Sequence, residues 1–200
     1  MKVSVVVAVY NSDRCIRPCL EGLRTQTFRD FETLLVVDSR SDDDSVKTAE
    51  SLALEYDNTR VIIQKDDGRA GGARNLGMDE ASGEYIWFLD VDDFFSPDFL
   101  KEAVAMADVN DAGVVVTNFH YSRRGTFVEP PRKGYRIFVH DSYEAMRELN
   151  DGRYSTNLFN KIIRSSLIKD NGLRMSIDYC EDYEFLRDCF MRPCRVVYCN

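Results

Sequence analysis

The sequence predicts an α/β domain with a mostly parallel, doubly wound sheet and helices on both of its faces. Three observations support this fold class. Short apolar runs alternate with helix-length segments over the first 120 residues, which is the pattern of βαβ units. The runs are apolar without interruption, as expected of strands covered on both faces. Polar and acidic residues follow several of these runs directly, at the edge where such sheets bind ligands.

Five strands and four helices are predicted in this first part of the chain. The strands span residues 3–9, 31–37, 61–64, 84–90 and 113–119. The helices lie at about 14–25, 44–56, 72–80 and 97–108, as judged from apolar spacing and start signals. The Asn-Ser-Asp segment at 11–13 supplies N-cap residues for the first helix, and Pro97-Asp98 opens the fourth.

The pattern changes after residue 120. Residues 121–138 are basic and contain glycine and proline, so we expect a loop or hairpin that lies over one face. Helical segments follow at about 141–149, 164–170 and 182–190. A strand-like run, 195–200, continues to the last residue. We therefore expect one domain over 1–200 whose C-terminal part is truncated.

Composition and charge exclude several classes of protein. The chain has 26 basic and 34 acidic residues, a net charge of −8, whereas nucleic-acid binders carry a basic face. Its six cysteines form no CxxC pair and there are only two histidines, which argues against a zinc site. No signal peptide and no apolar run of the ~20 residues that a membrane span requires can be recognised. We expect a cytoplasmic protein with reduced thiols.

The sharpest candidate site is the segment FLDVDDFFSPD, residues 88–98. Asp90, Asp92 and Asp93 emerge within four residues after a predicted buried strand. Carboxylates this close repel one another unless a cation or a proton lies between them. Oxygen ligands without histidine or cysteine favour Mg²⁺ or Mn²⁺. The alternative is a solvated acidic turn that caps the next helix.

Two further clusters follow strands in the same half. Asp38 stands at a strand end, where its carboxylate could accept a hydrogen bond from a base N–H or a ribose hydroxyl. The acidic run at 42–44 is better explained as the start of the next helix. The Gly-rich segment 66–77 contains Arg69 and Arg74 and leads into the helix predicted from residue 72, an arrangement that attracts anions but is weak evidence alone. Glu181 and Asp182 begin a later helix, where acids also favour the helix dipole.

In this order, the clusters resemble the inverting family 2 of glycosyltransferases, which have the Rossmann-like GT-A fold. The matching segments are VSVVVAVYN, TQTFRDFETLLVVDSRSDDDS, KDDGRAGGARNLG, ASGEYIWFLDVDDFFSPDFL, and NLFNKIIRSSLIKDNGLRM with EDYEFL. The last pair resembles the acceptor-side pattern of capsule and surface-polysaccharide members. The resemblance covers nearly the whole chain, and it implies a nucleotide-binding half at about 1–120 and an acceptor-side half at about 121–200.

The resemblance also implies a role for each matching residue. It implies that Asp92 binds the Mn²⁺ or Mg²⁺ ion and that Asp182 is the general base, with Glu181 as an alternate or helper. The residues that it implies for binding of the nucleotide-sugar donor are Ala8, Tyr10, Asp38, Asp67, Arg74 and Asp90. One carboxylate base and a direct displacement imply inversion at the anomeric carbon. The donor used by most members of the family is a UDP-sugar, so the resemblance implies a UDP-sugar here, with a saccharide or a lipid-linked saccharide as the acceptor.

Some residues depart from the family pattern. Arg40 replaces a usual glycine and Asp67 a usual asparagine, which leaves the identity of the nucleotide base open.

Five basic residues could form a patch for an anionic, lipid-linked acceptor at the inner face of a membrane, although solvated surface charge is the simpler explanation. They are Arg123, Arg124, Arg132, Lys133 and Arg136.

Three other functions are compatible with parts of the sequence. FLDVDD resembles the strand-end motif of haloacid-dehalogenase phosphatases, but that motif normally lies near the chain start. Nucleotidyltransferases also combine such a sheet with acids, but they carry a Gly-rich basic signature after the first strand, and AVYNSDRC is not one. A nucleotide-binding module without catalysis is the third alternative, because the chain ends on a strand.

Overall fold

The computed structural model describes residues 1–66, 68–119, 136–176 and 180–199. Asp67 and most of the predicted loop or hairpin at 121–138 therefore lie outside the described residues. So do four of the five basic residues of the predicted patch, Arg123, Arg124, Arg132 and Lys133. The membrane-contact prediction that depends on them stays a prediction.

The first half is a parallel βα unit, as the apolar runs predict. The strands are β1 (Val3–Val9), β2 (Phe31–Asp38), β3 (Thr59–Gln64) and β4 (Tyr85–Asp90), and the helices are α1 (Asp13–Arg24), α2 (Ser45–Ala53), α3 (Arg69–Glu80) and α4 (Phe99–Asn110). β1 pairs in parallel with both β2 and β4, and β2 pairs in parallel with β3. The chain thus leaves β1 toward β2 and β3 and then returns to β4 on the other side, which creates a topological switch point between β1 and β4.

The second half extends the same sheet. Its elements are β5 (Val114–Thr117), β6 (Ile137–Asp141), α5 (Ser142–Asn150), β7 (Lys161–Arg164), α6 (Ser165–Lys169), α7 (Glu181–Phe190) and β8 (Arg195–Cys199). The strand order is β3-β2-β1-β4-β7-β5-β8-β6. Only β7 and β6 are antiparallel to their neighbours, so within the described residues the predicted, mostly parallel sheet is confirmed.

Both faces of the sheet are covered. Val5, Leu35 and Trp87 belong to one apolar core, and their chain neighbours Val6, Leu34 and Phe88 belong to the other. Alternate side chains of a strand point to opposite faces, which explains why the strand runs are apolar without interruption. The helices that supply the other half of each core lie on both sides of the sheet, as predicted.

The two antiparallel strands are absent from the sequence prediction. β7 lies between β4 and β5, but only four residues form it and the first is a lysine. β6 is the last strand of the sheet and its side chains are largely exposed, so it lacks the apolar signal of the central strands. The last part of the predicted loop or hairpin at 121–138 is therefore a strand from Ile137.

Helix α1 begins as predicted, but its N-terminus is stabilised from elsewhere in the chain. Ser12 is the N-cap residue and makes no side-chain capping bond. Instead, Asp43 accepts hydrogen bonds from the backbone N–H groups of Asp13 and Ser45, both at 3.0 Å. One carboxylate therefore serves the starts of both α1 and α2, which supports the interpretation of the 42–44 run as a helix start.

No helix in the described residues is long and apolar enough to cross a membrane. All six cysteines lie in the described part of the chain and are free thiols.

Candidate active site

A cleft of about 540 Å³ opens at the carboxyl edge of the sheet, at the switch point between β1 and β4. Residues from the ends of β1, β2, β3 and β4 and from the start of α3 line it. They are Ala8, Val9, Tyr10, Ser12, Asp38, Arg40, Gln64, Arg69, Ala70, Ala73, Asp90, Val91 and Asp92. Five of the residues predicted to bind donor or metal therefore share one cleft, namely Ala8, Tyr10, Asp38, Asp90 and Asp92.

One end of the cleft is formed by an ion pair between Asp38 and Arg40. The carboxylate of Asp38 is almost fully buried. It accepts hydrogen bonds from the backbone N–H of Arg40 at 2.9 Å and from its Nε and Nη2 atoms at 3.0 and 2.6 Å. These contacts lower the pKa of Asp38, so the group is a carboxylate at neutral pH.

Gln64 lies beside this pair, because it is the register partner of Asp38 in the sheet. Its side chain is buried, and its Oε1 atom has no hydrogen-bond partner among the described residues. A buried acceptor without a partner is costly. Gln64 thus marks a position in the cleft where a ligand N–H or O–H would be stabilised, and sequence reasoning did not identify it.

The other end of the cleft carries the acids that follow β4. Asp92 is exposed, Asp93 is partly buried, and the Asp93 Oδ2 atom has no hydrogen-bond partner among the described residues. Burial, followed by the charges of Asp90 and Asp92, raises the pKa of Asp93 to about 6. The described residues contain no group of three or more histidine, cysteine or acidic side chains arranged to hold a metal ion.

Arg74 joins this acidic end to helix α7. Its guanidinium is buried, with Nη2 2.8 Å from Asp90 Oδ1 and Nη1 2.8 Å from Asp182 Oδ1. Glu181 Oε1 lies farther away, at 3.5 Å from the same Nη1. The structure thus brings together Asp90, from the predicted donor site, and Asp182, the predicted base, through one side chain.

Helix α3, which carries Arg74, packs closely against β1 and against the backbone at Ser176. A Cβ added to Gly77 would overlap the Val6 side chain of β1, and one added to Gly71 would overlap the carbonyl oxygen of Ser176. Glycine permits both approaches. The two glycines therefore set the depth of the helix that carries Arg74.

Asp182 lies in a polar but poorly hydrated environment. Its side chain is 24% exposed. Burial raises its pKa to about 6, although the neighbouring Arg74 guanidinium opposes this shift. A carboxylate in this range holds a proton more readily than an ordinary aspartate, so it is better suited to accept one from a substrate near neutral pH.

Lys161 is a buried cation near Asp182 that sequence reasoning missed as a site residue. Its ammonium group donates to the carbonyl oxygens of Ser155 and Asn157 at 2.7 and 2.6 Å and to Asn160 Oδ1 at 2.7 Å. Burial lowers the pKa of Lys161 to about 7, whereas the charge of Asp182 raises it. The sequence signal that points to Lys161 is its position in the NLFNK segment, which resembles an acceptor-side pattern.

The fold and the cleft place the chain in the class of glycosyltransferases with the GT-A fold. More specifically, the chain belongs to the family described as Glycosyl transferase family 2, whose sequence profile matches residues 4–172. The family and the fold predicted from the sequence are thereby confirmed. The match gives no support to the phosphatase and nucleotidyltransferase alternatives.

Individual proteins resemble the chain over nearly its whole length. It is 31% identical over 198 residues to EpsH of Bacillus subtilis (strain 168), a protein named as a glycosyltransferase; the match covers 92% of this chain and 54% of EpsH. The chain thus spans about half the length of this relative.

Solved structures agree in fold. Staphylococcus aureus TarS in complex with UDP has a TM-score of 0.82 at 25% identity, covering 99% of this chain and 57% of that one. TarS has also been solved with UDP-GlcNAc, and its name is poly(ribitol-phosphate) beta-N-acetylglucosaminyltransferase. The mannosyltransferase PcManGT from Pyrobaculum calidifontis, solved with GDP-Man and Mn²⁺, has a TM-score of 0.72 at 18% identity and covers 99% of this chain and 56% of that one.

Proposed function

We propose that the chain transfers a sugar from a UDP-sugar to an acceptor hydroxyl with inversion at the anomeric carbon. One observation carries this proposal: the buried Arg74 guanidinium contacts both Asp90 in the cleft and Asp182 at the start of α7, each at 2.8 Å. A donor that lies along the cleft would therefore present its sugar close to Asp182.

The donor's orientation follows from the charges in the cleft. The acids that follow β4 suit a cation and the diphosphate that it neutralises. The nucleoside then extends toward Asp38 and Gln64 at the ends of β2 and β3, past Ala8 on β1 and Tyr10 directly after it. The TarS structures with UDP and UDP-GlcNAc support uridine as the nucleoside. Asp67 belongs to the same donor site by resemblance.

A divalent cation, Mn²⁺ or Mg²⁺, fits the acidic end of the cleft. Asp92 would hold it and Asp90 would assist, and Mg²⁺ commonly takes only one or two carboxylates together with substrate phosphates. Burial, followed by the negative charges of Asp90 and Asp92, raises the pKa of Asp93, and a cation at this point would relieve the repulsion between these charges. Bound there, the cation would stabilise the charge of the leaving diphosphate.

Asp182 acts as the general base in the proposed reaction. Its carboxylate accepts the proton of the acceptor hydroxyl while that oxygen attacks the anomeric carbon. The bond from that carbon to the diphosphate oxygen breaks on the opposite face, and the diphosphate leaves with the electron pair. A single displacement of this kind inverts the configuration. Glu181, 3.5 Å from Arg74, helps to position Arg74.

The acceptor is proposed to be a saccharide or a lipid-linked saccharide in surface-polysaccharide synthesis. The support is the sequence resemblance of 157–175 and 181–186 to acceptor-side segments of such enzymes. The polymer-directed activity in the name of TarS agrees with this class.

The test combines a donor screen with two active-site variants. Purified chain is incubated with UDP-sugars, with and without Mn²⁺, and donor turnover and the anomeric configuration of the product are followed by NMR. Asp92→Ala and Asp182→Asn should each abolish turnover, but only Asp92→Ala should also abolish metal-dependent UDP binding.

Asp188→Asn is the matched control, because Asp188 lies on the same helix as Asp182 and pairs only with its neighbour Arg187 among the described residues. Near-wild-type turnover by Asp182→Asn would disprove the base assignment, and a product with retained configuration would disprove inversion.

A further inference from the structure

The cleft contains an arginine where a nucleoside is proposed to bind. Arg40 lines the cleft together with Asp38 and Gln64. Its side chain is 42% exposed, whereas that of Asp38 is 6% exposed. The arginine therefore covers the acid on the cleft side, and its guanidinium is held in position because its Nε and Nη2 atoms donate to the two oxygens of the one carboxylate.

The position of the base follows from the strand spacing. β1 lies between β2 and β4, so the end of β2 is about 10 Å from the end of β4 at the usual spacing of parallel strands. A diphosphate held near Asp90 and Asp92 and an attached ribose are long enough to cross this distance. The base then meets Arg40 and Gln64. The Gln64 Oε1 atom, which has no hydrogen-bond partner in the part of the chain that the structure describes, is an independent indication that a ligand's polar group belongs at this end.

We propose that Arg40, held against Asp38, selects a pyrimidine nucleoside diphosphate over a purine one; this inference rests on the proposed function. A purine carries a second ring, and Arg40 occupies space at the base end of the cleft. To admit that ring, the arginine would have to move away from Asp38. The buried carboxylate would then lose its ion-pair partner, which is energetically costly. A pyrimidine needs no such movement.

The ion pair is what makes the arginine selective. An unattached arginine side chain has many rotamers and would move aside at little cost. Two side-chain hydrogen bonds to one buried carboxylate remove that freedom. The chain's departure from the usual glycine at position 40 thus becomes a specificity element.

The experiment measures the affinity of the full chain for UDP and GDP, each with Mn²⁺, by isothermal titration calorimetry. The wild type should bind UDP more tightly than GDP. Arg40→Gly should reduce the UDP-to-GDP affinity ratio by about tenfold or more, the range in which a steric contact discriminates between ligands. Arg40→Lys preserves the charge and much of the bulk, and should keep most of the preference.

A second cleft-lining arginine provides the control. Arg69→Ala removes a positive charge from the start of α3 and should weaken UDP and GDP alike, with an unchanged ratio. A wild type that prefers GDP, an unchanged ratio in Arg40→Gly, or an equal loss of the ratio in Arg69→Ala would each overturn the role of Arg40. If the wild type bound neither nucleotide with Mn²⁺, the proposed function itself would fall, so the two failures are distinguishable.

Discussion

The Nη1 atom of Arg74 lies 2.8 Å from the Oδ1 atom of Asp182, and its Nη2 atom lies 2.8 Å from the Oδ1 atom of Asp90. Asp90 belongs to the cleft at the end of β4, and Asp182 belongs to the first turn of α7. A single buried cation therefore faces carboxylates from both halves of the chain. A change of charge at one of these carboxylates therefore alters the electrostatic interaction of Arg74 with the other.

The first prediction concerns this coupling. Arg74→Met should raise the pKa of Asp182 above its present value of about 6, because Arg74 is the nearest charge that lowers it. The loss of an opposite charge at this distance is expected to shift a carboxylate by about one unit or more. Since the proposed base must be deprotonated, the acidic limb of the kcat/KM profile should move to higher pH. A pH–rate profile with a UDP-sugar donor measures this shift.

A structural explanation of the same variant can be separated from the electrostatic one. Arg174→Met removes another arginine that pairs with α3, through Asp79, and should leave the profile in place. Arg74→Lys keeps the charge but loses the two-sided contact, so it should restore the pH limb while recovering only part of kcat. If Arg74→Met lowered the rate equally at every pH, the proposed control of the Asp182 pKa would be wrong.

The second prediction concerns the stability cost of the acids after β4. Burial and the charges of Asp90 and Asp92 raise the pKa of Asp93 to about 6 in the folded chain, against about 4 in an unfolded one. The folded state therefore binds more protons between these values, and stability falls as the pH rises from 4 to 6. Asp93→Asn removes this penalty and should increase the free energy of unfolding by about 1–2 kcal/mol at pH 7.5.

Urea unfolding in EDTA at pH 7.5 and pH 4.5 measures this difference. The gain should be nearly absent at pH 4.5, where Asp93 is protonated in the wild type as well. Addition of Mn²⁺ at pH 7.5 should stabilise the wild type and reduce the advantage of the variant, because a cation relieves the same repulsion. Equal gains at both pH values would show that the charge of Asp93 is not the cause of the gain.

The third prediction tests how closely α3 must approach the sheet. Ala normally stabilises a helix relative to Gly by about 1 kcal/mol, but a Cβ at Gly77 would overlap Val6. Gly77→Ala should therefore destabilise the chain by about 1–3 kcal/mol, as overpacked cores do. Ala70→Gly, at an exposed position in the first turn of the same helix, exchanges the same two residue types without a packing contact and should change stability by less. Stabilisation by Gly77→Ala would mean that α3 has room to move outward.

The central strands and the ligand-binding edge could be predicted from the sequence because their signals are local. The runs that form β1, β2 and β4 are apolar on both faces, and each ends in the polar residues that line the cleft. Tyr10, Asp38 and Asp90 could thus be assigned to one edge of the sheet before any coordinates were known. The family segments supplied the proposed role of Asp182, whose own local pattern is equally typical of a helix start.

The contacts that complete the site could not be predicted, because they depend on tertiary placement. Nothing in the local sequence indicates that Arg74 contacts both Asp90 and Asp182, the latter more than 100 residues further along the chain, or that Arg40 covers Asp38. β7 was missed for a related reason. Its first residue is Lys161, a charged side chain that is fully buried, and the oxygens that stabilise it come from the preceding loop rather than from the strand itself.

The last prediction concerns this lysine. Lys161→Met keeps the length of the side chain but leaves three oxygens without their donor, the carbonyl groups of Ser155 and Asn157 and the side-chain oxygen of Asn160. Since each buried unsatisfied acceptor costs about 1–3 kcal/mol before relaxation, we expect a net loss of about 2–4 kcal/mol in the free energy of unfolding, measured by urea denaturation. Lys47→Met, at a lysine on α2 whose side chain is 83% exposed, should change the free energy of unfolding little.

Lys161→Met also removes a positive charge that lowers the pKa of Asp182, so any remaining turnover should have its acidic limb at higher pH than in the wild type. A variant of unchanged stability would mean that the loop at 155–160 is held by other contacts, and that the buried ammonium is dispensable for the fold of this part of the chain.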